Sequence, residues 1–320
     1  MIKELFFTSL LLATPALNAN ESTNIDNLTL TNISFNMDED GNLNPNVFIP
    51  YYYGDAKQFY SSISYSASNF TDASVVENFS DSKNAVVSIS NEFTLNYITY
   101  ITTFFGLRTS FGLESSFSKI NNNEFGYIHD KDNIFDNGND YYLSFDNDIE
   151  LNIKKHAIRA DIVIPMGDYF SSRFFVSVSP FMRVDVTQST IFKPLISETG
   201  TSSSSTSQDI SYSLRYDALI KTGTFINIGF EAFYNIQPLK YNIAQLTQKD
   251  GKFSFEINEI DIKETTTKFI AKLLFDIEVL GSLNPTIGYG VETVKTTDNL
   301  SGDSISKKKA IIIFGIEKLF

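Results

Sequence analysis

The sequence predicts an all-β protein, an antiparallel transmembrane β-barrel of about 12 strands, with a range of about 10 to 14. Three observations support this prediction. Short segments in which apolar and polar residues alternate recur along the chain, the pattern of strands with two different faces. One face of nearly every segment is crowded with Phe, Tyr, Ile and Leu, while the other carries charges in place of a second core. Nothing approaches the ~18 continuous apolar residues of a membrane helix, so a membrane role requires strands.

The composition of the 320 residues excludes several classes of function. The formal net charge is −13, which makes nucleic acid an unsuitable partner because phosphates are bound by Lys and Arg. The chain contains no cysteine, so it has neither disulfides nor thiolate metal sites. We expect no cofactor.

The first residues follow the plan of a secretory signal peptide. Lys3 precedes the short apolar run Leu5–Ala13, and a small-residue exit ends at Ala19. We expect a signal peptide over residues 1–19, a polar segment over 20–45 and the barrel over 46–320. The polar segment has three interpretations: a leader before the barrel, a short strand, or a segment within the lumen.

Three hairpins are predicted from apolar faces that match when the chain folds back on itself. Their turns are placed at Lys154-Lys155, at Lys221–Gly223 and around Leu280–Pro285. Long polar stretches separate the strands, and the serine-rich run Gly200–Ser207 is expected to be mobile. The stretches predicted as loops are 68–84, 120–139, 189–209, 237–266 and 296–308.

The last segment, Lys309–Phe320, alternates with one apolar face and ends on an aromatic residue. It resembles the closing strand of bacterial outer-membrane β-barrels, the porin-like superfamily. The resemblance implies an outer-membrane location after cleavage of the signal peptide, with lipid and lipopolysaccharide around the barrel. It also implies an assembly signal, formed by Phe314, Ile316 and Phe320, that the barrel-assembly machinery reads.

The strand count follows from the same resemblance. Eleven segments are clear strands, and a twelfth lies either at 47–53 or within 253–262. Because bacterial barrels of this type have even strand numbers, we choose twelve. One conflict stays open. Counting from the C-terminus places the Lys154-Lys155 turn at the outer end of the barrel, and counting from Phe59 places it at the inner end.

The faces opposite the apolar ones are predicted to line the lumen. Three strands repeat the pattern Arg-x-Asp, and residues i and i+2 share a face, so each Arg and Asp should point inward together. One interpretation is an electrostatic constriction that selects ions or small solutes. The other is a salt-bridge network that fills a narrow barrel. The predicted lumen residues are Arg108, Glu114, Asp146, Asp148, Glu150, Arg159, Asp161, Arg183, Asp185, Arg215 and Asp217.

Three lysines precede the last apolar run: Lys307, Lys308 and Lys309. Ammonium groups bind phosphate as point charges, so a contact with lipopolysaccharide is one interpretation. A solvated run that protects an aggregation-prone strand is the other.

One loop is a candidate Ca²⁺ site because it clusters carboxylates. Its spacing is not that of an EF-hand, and a solvated acidic loop is the competing interpretation. The candidate ligands are Asp130, Asp132, Asp136 and Asp140.

The histidines argue against an enzyme. An outer-membrane phospholipase requires a paired Ser and His, and an omptin-type protease requires Asp-x-His. The chain has two histidines, His129 and His156, and neither follows an Asp at that spacing. We expect no serine close to His156, and therefore no enzymatic activity.

The predicted function is a porin-like channel for small solutes, preferentially cationic because the chain is acidic. The alternative is a non-conducting structural or interaction barrel, which includes a solitary barrel similar to an autotransporter translocator.

Overall fold

A computed structural model describes the residues that form the strands and part of the turns. None of these residues forms a helix that could cross a membrane. The described residues are 31–37, 43–53, 58–72, 83–105, 107–130, 141–167, 169–180, 182–193, 197–207, 210–249, 252–277 and 283–318.

The described part of the chain contains fourteen β-strands. They are β1 (Thr31–Met37), β2 (Leu43–Tyr53), β3 (Phe59–Asp72), β4 (Lys83–Phe104), β5 (Leu107–Asp130), β6 (Tyr141–Met166), β7 (Phe170–Ser179), β8 (Met182–Lys193), β9 (Ser197–Ser207), β10 (Ser211–Lys221), β11 (Ile226–Lys249), β12 (Lys252–Phe275), β13 (Leu283–Asp298) and β14 (Ser304–Lys318).

Twelve of the strands close into an antiparallel ring. Its order is β1-β2-β3-β4-β5-β6-β7-β10-β11-β12-β13-β14, and it closes where β14 pairs with β1. A closed ring satisfies the backbone hydrogen bonds of every strand, which is the condition for strands to cross a bilayer. The predicted all-β fold, an antiparallel barrel of twelve strands, is confirmed.

The two remaining strands, β8 and β9, extend the ring at one end. β8 continues β7 and pairs with the first half of β6, and β9 runs beside β8 and leads into β10. The register shifts by one residue at this step, because Ile158 pairs with Val178 whereas Lys155 pairs with Met182. A one-residue shift turns every side chain beyond it to the other face of the sheet.

The described chain ends lie together, because Thr31 pairs with Lys318. We call this the inner end of the barrel and the opposite one the outer end. Since the strands alternate in direction, β6 runs from the outer end to the inner end as one strand.

The predicted hairpins have different outcomes. The hairpin after Lys221 is present, with Ala218 opposite Phe230. The hairpin between β12 and β13 is also present. The turn at Lys154-Lys155 is wrong, because both residues lie inside β6. Lysine does not favour the positive φ of a two-residue turn, and the alternation of the strand continues through the pair.

The strands at the outer end are longer than predicted. β4, β5, β6, β11 and β12 have 22 to 26 residues, whereas a tilted transmembrane strand needs about 9–11. The barrel wall therefore projects beyond a bilayer. Two segments predicted as loops are in fact strands. Residues 237–266 lie largely in the β11–β12 hairpin, and residues 200–207 lie in β9. Backbone pairing with a neighbouring strand holds these polar segments extended.

The barrel begins before the predicted boundary at residue 46. Strand β1 lies between β2 and β14 in the ring, and β2 begins at Leu43. Residues 31–37 of the polar segment therefore form a short strand, one of the three interpretations. The predicted signal peptide, 1–19, lies outside the described residues.

The outward face of the inner half of the barrel is apolar. Large side chains such as Phe111, Phe174, Phe269 and Tyr289 are exposed there. So much exposed apolar surface is typical of a wall that faces lipid chains. Charged groups on the outward face, such as the Lys119–Glu150 pair, lie nearer the outer end.

We expect the protein to migrate differently in detergent electrophoresis before and after boiling. The closed ring offers detergent no free edge from which to separate the strands, so the unboiled protein should stay folded. Identical migration of the two samples, with the unboiled one taken directly from lipid, would contradict the closed ring.

Candidate functional site

The interior of the barrel has two layers. An ion-pair band occupies the inner half, and apolar side chains fill the outer half. The ion-pair band consists of Glu114, Arg159, Asp161, Arg173, Arg215, Asp217, Glu231, Lys268, Lys272, Glu292 and Lys309.

Arg159 is the most enclosed cation of the band. Its side chain is 7% exposed, and its guanidinium lies 3.5 Å from Glu114 and 4.0 Å from Asp161. It donates a hydrogen bond of 2.9 Å to the hydroxyl of Tyr60 and stacks 4.9 Å from the ring centre of Phe175. A planar, weakly hydrated guanidinium suits such a site better than an ammonium would. Arg159 therefore joins the walls on both sides of β6.

The carboxylates around Arg159 have further donors. Asp161 accepts a hydrogen bond from Ser110 at 2.5 Å and one from Arg173 at 2.9 Å. Glu114 accepts one from Ser177 at 2.5 Å. Buried charges are tolerated when they are paired and hydrogen-bonded, and these meet that condition. This side of the band is closely packed.

The opposite side of the band is more exposed. Arg215 bonds Asp217 at 2.8 Å and Glu231 at 3.2 Å, and Lys272 lies 3.1 Å from the same Glu231. The side chain of Arg215 is nevertheless 38% exposed, although it faces the interior. The interior therefore has room for water at this level.

A second ion-pair group continues the band across β12, β13 and β14. Glu292 lies 3.6 Å from Lys268 and 3.0 Å from Lys309. With this group, the band contains six cationic and five acidic side chains. The acidic excess of the whole chain is therefore absent from the band.

Lys155 and Gln237 lie between the two layers. The ammonium of Lys155 on β6 donates a hydrogen bond of 2.7 Å to the side-chain oxygen of Gln237 on β11. These strands are separated in the ring by two other positions, so a direct contact shows that the interior is narrow at this level.

The outer half is filled by a group that we call the apolar plug. Side chains of β6 and β8 pack on the inner face of β11, and several have almost no exposed surface. The sequence did not reveal this group, because an apolar strand face has the same alternating pattern whether it faces lipid or other strands inside the barrel. The plug consists of Leu151, Ile153, Met182, Val184, Val186 and Leu239, with Ile120, Ile149, Tyr241, Ile243 and Ile262 packed around them.

Gln188 joins β8 to β11 beside the plug. Its amide nitrogen donates to the backbone oxygen of Ala244, and its amide oxygen accepts from the backbone nitrogen of Ala244, both at 2.8 Å. The side chain makes the two bonds that a neighbouring strand would make.

Five of the predicted lumen residues point outward. Arg183 and Asp185 form an ion pair on the outer face of β8, where the arginine side chain is 56% exposed. The prediction is wrong because the one-residue shift before β8 reverses its faces. The other three are Asp146, Asp148 and Glu150, which lie on the same face of β6 as Lys154 and His156.

The outward acidic residues have their own partners. Asn123 donates hydrogen bonds to Asp146 and Asp148. Lys119 donates to Glu150 at 2.8 Å, and this bond holds the pKa of the Glu150 carboxyl below its usual value. These acidic side chains and their partners therefore lie on the outer surface of the projecting wall.

The remaining predicted lumen residues lie inside. Glu114, Arg159, Asp161, Arg215 and Asp217 belong to the ion-pair band, and Arg108 shares the face of Glu114 on β5.

The three lysines before the last strand do not share a face. Lys309 bonds Glu292 in the interior, which excludes it from contact with lipopolysaccharide on the outside. Lys307 lies on the same face of β14, and Lys308 lies on the outward face. Of the three lysines, Lys308 is therefore the one whose position allows contact with outer lipid.

The predicted assembly signal and the predicted Ca²⁺ site lie partly or wholly outside the described residues. Phe314 and Ile316 are exposed on the outward face of β14, while Phe320 lies outside the described residues. The candidate Ca²⁺ ligands Asp132, Asp136 and Asp140 lie outside them too, as does the side chain of Asp130.

A serine does lie close to His156, contrary to expectation. The hydroxyl of Ser115 is 2.5 Å from Nδ1 of His156, on the outward face of β5 and β6. Strand pairing brings the two residues opposite each other across a sequence separation that no local pattern reveals. Ser115 has 0% exposed surface, so its hydroxyl offers no access to a substrate.

Comparisons with known proteins return outer-membrane β-barrels. No protein-family model matches the chain, and no curated protein matches it. The chain is similar to the translocator domain of the autotransporter NalP from Neisseria meningitidis, at 9% identity and a TM-score of 0.44, covering 91% of this chain and 87% of that one.

Two transporters show a similar likeness. The toluene transporter TodX of Pseudomonas putida matches at 9% identity and a TM-score of 0.45, covering 91% of this chain and 87% of that one. The toluene transporter TbuX of Ralstonia pickettii matches at 8% identity and a TM-score of 0.38, covering 91% and 88%.

Proposed function

We propose that the protein is a bacterial outer-membrane channel for small solutes. The observation that carries the proposal is the exposed side of the ion-pair band. Arg215 faces the interior and is still 38% exposed, so the interior has room for water at this level. A water-filled, charge-lined interior is the arrangement by which pores select solutes.

The outward surface supports a place in a bilayer. Its exposed aromatic and aliphatic side chains surround the inner half of the barrel, at the level of the ion-pair band. The inner end would then face the periplasm, and the projecting wall would stand outside the cell.

The expected preference for cations has no support in the band. Six cationic and five acidic groups face one another in ion pairs there. Such a lining can bind either sign of charge. We therefore propose selection by size and polarity, with weak discrimination by charge.

A second candidate function is a non-conducting structural barrel, and the apolar plug favours it. Met182, Val184 and Ile153 have at most 1% exposed surface, which leaves no room for water at that level. A channel must open there, whereas a structural barrel need not.

Reconstitution into planar bilayers separates the two functions. We expect discrete single-channel steps from the folded protein, with long closed intervals because the plug must part. A matched bilayer that receives boiled protein should stay silent. Persistent silence from protein that still shows heat-dependent migration would favour the structural barrel.

A further inference from the structure

Between β10 and β11, the hydrogen-bonded wall of the barrel ends before the outer end. β10 pairs with β11 only as far as Tyr212 and Ile236. Beyond that point β11 continues to Lys249 with β12 as its ladder partner. In the described part of the chain, β9 pairs with β8 and not with β11. A seam without backbone pairing therefore separates β9 from β11.

Gln188 crosses this seam. Its side chain makes both hydrogen bonds to the backbone of Ala244, on the strand where the ladder stops. A side-chain amide can release such bonds by rotating, whereas a ladder of paired strands opens only with many bonds at once. The contact has the properties of a latch.

The strands next to the seam change register where β8 and β9 meet the twelve-stranded ring. The pairing of β6 shifts by one residue between β7 and β8. The pairing of β10 with β7 and of β9 with β8 shifts at the same level, since Ser179 pairs with Ser211 but Met182 pairs with Ser207. Irregularities of this kind bend strands and interrupt the ladder. The register change therefore provides a place where the β8–β9 unit could bend relative to the ring while its ladder with β6 is kept.

The apolar plug lies directly behind the seam. Val184 and Val186 on β8 belong to the same buried cluster as Leu239 on β11, so the plug has members on both sides of the seam. Movement of β8 and β9 away from β11 would separate these side chains. Hydrophobic constrictions of channels conduct when they widen and admit water.

We propose that the outer half of the barrel opens along the seam between β9 and β11, with Gln188 as the latch and the apolar plug as the gate. This inference rests on the proposed channel function. In the closed state the plug excludes water from the outer half. In the open state the β8–β9 unit swings away from β11, and solute passes to the ion-pair band.

A cysteine pair at the latch tests the inference, and the chain offers a clean background because it has no cysteine. In the variant Gln188→Cys with Ala244→Cys, a disulfide or a short thiol-reactive linker should hold the seam shut. We expect loss of single-channel openings under oxidising conditions and their return after addition of a reductant. Gln188→Met, which keeps the volume but removes the amide, should open more often than the wild type.

The matched control joins strands that stay together in the proposed movement. Asn152 on β6 and Asp185 on β8 are register partners on the outward face. Directly opposed strand residues lie within disulfide range. Asn152→Cys with Asp185→Cys should therefore form its disulfide and leave the openings unchanged.

The outcomes separate the inference from the channel proposal. If the latch pair is bridged and still conducts like the wild type, the seam is not the gate, although the channel stands. If Gln188→Met opens no more often than the wild type, the amide contact with Ala244 does not hold the seam and the latch is refuted. Silence of the wild type, the reduced pair and Gln188→Met together would refute both the channel and its gate.

Discussion

Ile153→Asp is expected to raise the single-channel conductance or the open probability by about tenfold or more. A tenfold rise corresponds to lowering the free-energy barrier to passage by only ~1.4 kcal/mol. Ile153 has 1% exposed surface inside the apolar plug. Removing the water from a carboxylate costs several kcal/mol, so an aspartate there should draw water into the plug. A hydrated constriction conducts where a dry one does not. Planar-bilayer recordings measure the change.

The control for this variant is its neighbour in sequence. Lys154→Asp places the same carboxylate on the outward face of β6, where it does not meet the plug. Its conductance should match that of the wild type. Wild-type conductance from folded Ile153→Asp would show that the plug does not limit passage.

Arg159→Ala is expected to lower the free energy of unfolding by about 3–5 kcal/mol, the cost of removing one partner from a buried ion pair. The variant leaves Glu114 and Asp161 facing each other without the guanidinium between them. It also removes the stacking on Phe175 and the hydrogen bond to Tyr60. Urea titration of the barrel in lipid vesicles measures the loss.

Arg183→Ala is the matched control for Arg159→Ala. The Arg183–Asp185 pair has the same spacing in the sequence but lies exposed on the outer surface. Exposed ion pairs contribute at most about 1 kcal/mol, so this variant should unfold nearly as the wild type does. Equal losses for the two variants would mean that the assigned faces of β6 or β8 are wrong.

The sequence predicts the fold class because alternation and an apolar face are local properties. The segments around Phe111 and Phe269 show both, and they form lipid-facing strands. The same signal is absent from polar segments, so Gly200–Ser207 looked like a loop although pairing with β8 holds it as a strand. The length of the strands at the outer end could therefore not be predicted, because it is set by pairing with strands that are distant in sequence.

The site was predicted only in part, for a related reason. Arg159-x-Asp161 and Arg183-x-Asp185 are equivalent as sequence patterns, yet one lies in the interior and the other outside. A single residue of register between β7 and β8 makes that difference. Placing Arg183 and Asp185 in the lumen implied that Val184 faces outward, whereas Val184 lies in the apolar plug with Leu239 of β11.

The central claim is that water enters the barrel from the inner end and stops at the apolar plug. Labelling of single cysteines by a bulky, charged, membrane-impermeant maleimide tests it in cells. Thr187→Cys, on the exposed outward face of β8, is the positive control and should label in intact cells. Arg215→Cys should label only after the outer membrane is permeabilised, because the plug closes the route from outside. Labelling of Arg215→Cys in intact cells as fast as that of Thr187→Cys would contradict the claim.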